Sequence, residues 1–134
     1  MNGRAHIIHL SDLAVEIIEG LPRINGSQFV FTANGSQPFT NPDYLRNRVT
    51  KLMGDDTPHW QLRDLRRTAT TLLAELGVSH HIADEVSNHS SGQISGVAAV
   101  HNRFAYLDER KAALNALGQF IVRLVGRNVF TLRA

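Results

Sequence analysis

The stretch Leu62 to Gly77 (LRDLRRTATTLLAELG) constrains the fold more than any other part of the chain. Leu62, Leu65, Ala69, Leu72, Leu73 and Leu76 recur in steps of three and four, a spacing that aligns side chains on one face of an α-helix and not on one face of a strand. Gly77 follows the last of them, where a left-handed residue can end the helix at least cost. The spacing predicts an amphipathic helix ending at Gly77, and its leucine face requires other elements to cover it.

Those other elements read mostly as helices. Ser11 predicts an N-cap, with Asp12 in the first turn and Leu13, Ile17, Ile18 and Leu21 at helical spacing up to Gly20 and Pro22. Asn41 before Pro42 predicts a second start, because Asn caps and Pro is tolerated at the first helical position. Leu45, Val49, Leu52 and Met53 then predict a buried stripe ending at Gly54. Ser79 predicts the cap of a short helix carrying Ile82 and Val86 and ending near Asn88. A helix is expected over 97–104. Leu107, Leu114, Leu117, Ile121 and Leu124 predict a long one, weakened at Gly118.

Two apolar pieces suit strands: Ala5 to Leu10 (AHIIHL), and Phe29-Val30-Phe31 before the turn pair Asn34-Gly35 and Pro38. Ser90 to Gly96 has the composition of a flexible loop. The fold class expected is mainly α with a small N-terminal β element, an α+β arrangement. At 134 residues there is room for one domain, with no internal repeat, low-complexity tract or linker.

Composition narrows the chemistry. A hydrophobic content of 43% can build a core without staples. The absence of cysteine excludes a disulfide framework, a thiolate zinc site and a cysteine nucleophile, and it suits a reducing compartment. No apolar run approaches the roughly 20 residues that span a bilayer, and the first residues lack a signal-peptide core, so a cytoplasmic protein is expected. The seven histidines form no metal signature: His80 and His81 are adjacent and diverge on a helix, and no HxxxH or HExxH spacing occurs.

Charge points towards an anion. Fourteen basic and twelve acidic residues leave +2, and all but two of the basic residues are arginine, the side chain that grips phosphate bidentately. The excess lies after residue 57. Arg63, Arg66 and Arg67 stand at i, i+3 and i+4, so they share a helical face beside the leucine stripe. Their one local acid, Asp64, is expected to point off that face, which leaves a phosphodiester as a reasonable missing partner. The competing reading is a solvated face with acids arriving from elsewhere in the fold. His89, just past a helix end and beside a glycine-containing loop, could donate to a phosphate oxygen.

Taken together, Leu62 to Val78 (LRDLRRTATTLLAELGV), Ser87 to Phe104 (SNHSSGQISGVAAVHNRF) and Ala105 to Leu114 (AYLDERKAAL) resemble the C-terminal catalytic domain of tyrosine recombinases of the phage integrase family. The upstream GRAHIIHLSDLA and GSQFVFTANGSQP are similar to the segment following the small sheet of those domains, so the resemblance covers essentially the whole chain. It implies a DNA breaking-and-rejoining fold that forms a covalent phosphotyrosine without metal or nucleotide cofactor. Arginines hold the scissile phosphate, and positive charge is preorganised around a pentavalent phosphorane.

Carried onto this chain, Arg66 matches the second phosphate-binding arginine and His89 the later phosphate-binding histidine. Arg63 stands at the family's histidine position, where it can bind phosphate but cannot accept a proton near neutral pH. His101 stands at the position of the nucleophilic tyrosine. Tyr106, five residues on, is a weaker substitute and is expected to pack or hydrogen-bond structurally. The family's first arginine and hairpin lysine precede the segment aligned with Asn2-Gly3-Arg4.

The resemblance therefore implies a partial catalytic domain over residues 1–134, inactive alone, with double-stranded DNA as partner and self-association in a recombination complex. One alternative is a non-catalytic DNA-binding or regulatory module using Arg66, Arg67 and Arg103 on phosphates. Another is an oligomerisation module whose tail, residues 128–134, packs in trans through Val129, Phe130 and Leu132.

Overall fold

A computed structural model of the chain describes residues 6–88 and 106–126. In chain order its helices are α1 (Asp12–Glu19), α2 (Pro42–Met53), α3 (Leu62–Glu75), α4 (His80–Val86) and α5 (Leu107–Val125). The expected helix over 97–104, the loop from Ser90 to Gly96 and the tail over 128–134 lie outside the described residues.

The helix ends follow local chemistry. Ser11 Oγ accepts from the Ala14 N–H at 3.4 Å, and Asn41 Oδ1 accepts from the Tyr44 N–H at 3.0 Å, so each cap satisfies one of the donors a helix start leaves open. Gly77 follows α3 with φ +79°, the left-handed conformation for which glycine is suited. Ser79 departs from expectation: its hydroxyl is hydrogen-bonded to His81 Nδ1 at 3.2 Å and makes no cap bond to α4.

α5 is the central element, packing against α1, α3 and α4, while α3 also packs against α4. The core forms where α3, α4 and α5 meet. Leu73, Ile82, Ala83 and Ala113 are buried there, with Val78, Val86, Tyr106 and Leu117 packed around them. Leu73 is only 1% exposed.

Mainly α is therefore correct, but the small N-terminal β element is not: no strand occurs among the described residues. Residues 6–10 run without a ladder partner and are fastened to α5 by side chains instead. Arg110 donates to the Ile7 carbonyl, and His9 Nε2 donates to Asn115 Oδ1 at 2.9 Å. Phe29 to Phe31 enters a polar loop closed by the Phe39 N–H donating to the Phe31 carbonyl at 2.8 Å. An apolar run of this length becomes a strand only when another edge takes up its backbone groups.

A second correction concerns α2. Leu45, Val49, Leu52 and Met53 are all exposed, Leu52 at 83%, because no other described helix packs extensively on α2. What supports α2 is local: its Asn41 cap, Pro42 at the start, Asp43 in the first turn and Lys51 in the last. Gly118, expected to weaken α5, is a buried part of one continuous helix, and its missing side chain admits α1.

Candidate nucleic-acid interface

α3 carries Arg63, Arg66 and Arg67, all exposed, while Leu73 on the same helix is fixed in the core. The helix is thus anchored at one end of its apolar stripe and open at the other: Leu65, in the arginine-bearing turns, is 58% exposed. Trp60 ties the approach to α3 onto α2, its Nε1 donating to Thr50 Oγ1 at 2.9 Å.

The three guanidiniums differ in their surroundings. Arg63 Nε donates to Gln61 Oε1 at 2.6 Å, a neutral acceptor that leaves the charge uncompensated. Arg67 Nη1 lies 3.2 Å from Asp64 Oδ1. The other Asp64 oxygen accepts from the Gln61 N–H at 2.8 Å, tying off the start of α3. Asp64 therefore does not point off the arginine face, as expected from the sequence; it reaches along the helix by three residues and partly neutralises the cluster. The guanidinium of Arg66 has no hydrogen-bond or ion-pair partner among the described residues.

Magnitudes decide what this arrangement can do. The Arg67–Asp64 pair has side chains 73% and 39% exposed, and such a pair contributes about 0–1 kcal/mol. A contact to a phosphate of duplex DNA in addition releases condensed counterions, a gain the intramolecular pair lacks. Arg67 can therefore exchange Asp64 for phosphate at little cost, and Arg66 can bind without breaking anything. Three arginines against one aspartate leave this turn of helix with a local charge of +2.

His89, His101 and Arg103 lie outside the described residues, so only Arg63, Arg66 and Arg67 of the sequence-derived set are placed, and all three share one helix. Tyr106 meets the expectation of a packing role: its ring stands edge-on to His81 with centroids 5.0 Å apart, and it joins the buried cluster. Among the described residues no group of three His, Asp or Glu side chains is placed to hold a metal ion. No helix of those residues is long and apolar enough to cross a membrane.

No protein-family model, curated protein or solved structure matches the chain.

A second set of cations went unremarked in the sequence. α2 presents Arg46, Arg48 and Lys51, and the signal for them is the i, i+3 spacing of Arg48 and Lys51, which places those two on one helical face. Arg46 is partly compensated by Asp43 at 3.7 Å. Arg48 lies over the Tyr44 ring, 5.9 Å from its centroid, and donates to the Tyr44 hydroxyl at 3.2 Å. That hydroxyl raises the Arg48 pKa above its ordinary value.

Proposed function

We propose that this chain is a DNA-phosphate-binding module of the tyrosine-recombinase type, and that by itself it binds duplex DNA without cutting it. The observation that carries the reading is Arg66. It is an exposed arginine with no acid on its guanidinium among the described residues, held on a helix whose far end is fixed by Leu73. Supporting it are the order of the segments resembling that family and the net positive charge that Asp64 leaves on the arginine turn.

In this reading Arg66 and Arg67 take phosphate oxygens and Arg63 adds charge from the preceding turn. Contacts of this kind set register on DNA and carry no sequence information. The restriction to binding rests on residue chemistry. Arg63 stands where the resemblance implies a proton-handling histidine, and a guanidinium does not give up a proton near neutral pH. His101, at the position of the tyrosine nucleophile, has a shorter ring and a different attacking atom. No metal or nucleotide cofactor is invoked, and the partner is double-stranded DNA.

Two measurements test the proposal together. Retention on a duplex-DNA column at low salt is expected, and its absence would remove the reading. Incubation with a nicked suicide substrate is expected to leave no covalent protein–DNA adduct, and an adduct would show that this chain cleaves DNA by itself.

A further inference from the structure

We infer that Asn25 is a site of spontaneous deamidation, and that the fold withholds the same reaction from a second Asn-Gly pair, Asn34-Gly35. In this reaction the backbone nitrogen of the following glycine attacks the asparagine Cγ. The nitrogen loses its proton, the side-chain amide leaves as ammonia, and a five-membered succinimide closes. Water then opens the ring at either carbonyl to give aspartate or isoaspartate. Amide and water become acid and ammonia, and no electrons change hands. Ring closure needs an attacking nitrogen whose N–H is not held by an acceptor, a side chain free to turn its Cγ onto that nitrogen, and a main chain free to rotate between them.

Asn25-Gly26 meets these conditions. Both residues are exposed at the centre of a turn from Ile24 to Ser27, and Gly26 has φ +82°, the value required at the third residue of a type II turn. The turn is closed by one bond, the Ser27 N–H donating to the Ile24 carbonyl at 3.0 Å. Neither the Asn25 side chain nor the Gly26 N–H has a hydrogen-bond partner among the described residues. Beyond its chain neighbours, nothing among the described residues lies within 4 Å of where a Gly26 Cβ would stand, so no packing opposes rotation of the peptide.

Asn34-Gly35 fails every one of them. Asn34 Oδ1 accepts from the Ser36 N–H at 3.1 Å and the Gln37 N–H at 3.2 Å, which holds the carbonyl that would be attacked. The Gly35 N–H donates to Thr32 Oγ1 at 2.9 Å, and the Thr32 hydroxyl in turn donates to the Gln37 carbonyl at 2.6 Å. Gly35 is also packed against Ile24, whose Cγ2 would lie 2.8 Å from a Cβ there. Three hydrogen bonds must break before the ring can close, which separates the two rates by at least about tenfold. The third pair, Asn2-Gly3, lies outside the described residues.

Peptide mapping of the aged full-length chain tests this. Trypsin cuts after Arg23 and Arg46, so residues 24–46 carry Asn25 and Asn34 on one peptide, and main-chain fragmentation by electron transfer assigns each conversion. In native buffer Asn25 is expected to convert at least about tenfold faster than Asn34. In guanidinium chloride, where the Thr32 and Asn34 bonds are gone, the two rates are expected to converge. Thr32→Ala is expected to raise the Asn34 rate in native buffer. Equal rates in native buffer, or the same ratio in native and denaturing buffer, would overturn the inference.

Discussion

Gly118 in the middle of α5 lies so close to Ser11, the residue that caps α1, that a Cβ at position 118 would stand 2.8 Å from the Ser11 hydroxyl oxygen and 3.0 Å from its Cβ. The approach of the two helices is set by that missing side chain. Gly118→Val must push Ser11 away, lose its bond to the Ala14 N–H and separate α1 from α5. The expected loss is about 1–3 kcal/mol, read as a lower urea midpoint with unchanged slope. Gly118→Ala should lose less, because alanine returns about 1 kcal/mol of helix propensity.

Burial separates two leucines that look equivalent on paper. Leu73→Ala removes a side chain at the centre of the α3, α4 and α5 core and is expected to cost about 2–5 kcal/mol. Leu52→Ala, at a residue 83% exposed, should change stability by less than about 0.5 kcal/mol. Chemical denaturation of both variants checks the position of α2 outside the core, and a large loss at Leu52 would contradict it.

Asp64 is expected to give opposite signs in two assays. Its carboxylate ties off the start of α3 by accepting from the Gln61 N–H, so Asp64→Ala should lower stability by about 0.5–2 kcal/mol. The same change frees Arg67 and raises the charge of the arginine turn, so duplex-DNA affinity should rise, most clearly at low salt. A variant that is both less stable and weaker on DNA would assign Asp64 a purely structural role.

The parts of the fold legible in the sequence are those decided within a turn or two of chain. Ser11 and Asn41 cap where expected and Gly77 ends α3, because a helix end is a contest among a few neighbouring backbone groups. The strand expected at the N-terminus failed for a reason no local pattern holds. His9 and the Ile7 carbonyl find Asn115 and Arg110 about a hundred residues away. The stripe on α2 is periodic yet uncovered, since periodicity shows which face could be buried and not whether anything arrives to bury it. At the site, the i, i+3, i+4 spacing placed three arginines on one helix, but rotamers decided that Asp64 would serve Arg67 and leave Arg66 open.

The salt dependence of duplex-DNA binding by the unaltered chain and by Arg66→Ala, followed by fluorescence anisotropy, tests the central claim most directly. The unaltered chain should bind with log affinity falling linearly in log salt. Arg66→Ala should weaken binding on every duplex tried and make that slope shallower by about 0.9, the signature of one lost phosphate contact. An Arg66→Ala variant with the affinity and slope of the unaltered chain would contradict the claim that the open arginine of α3 faces DNA phosphate.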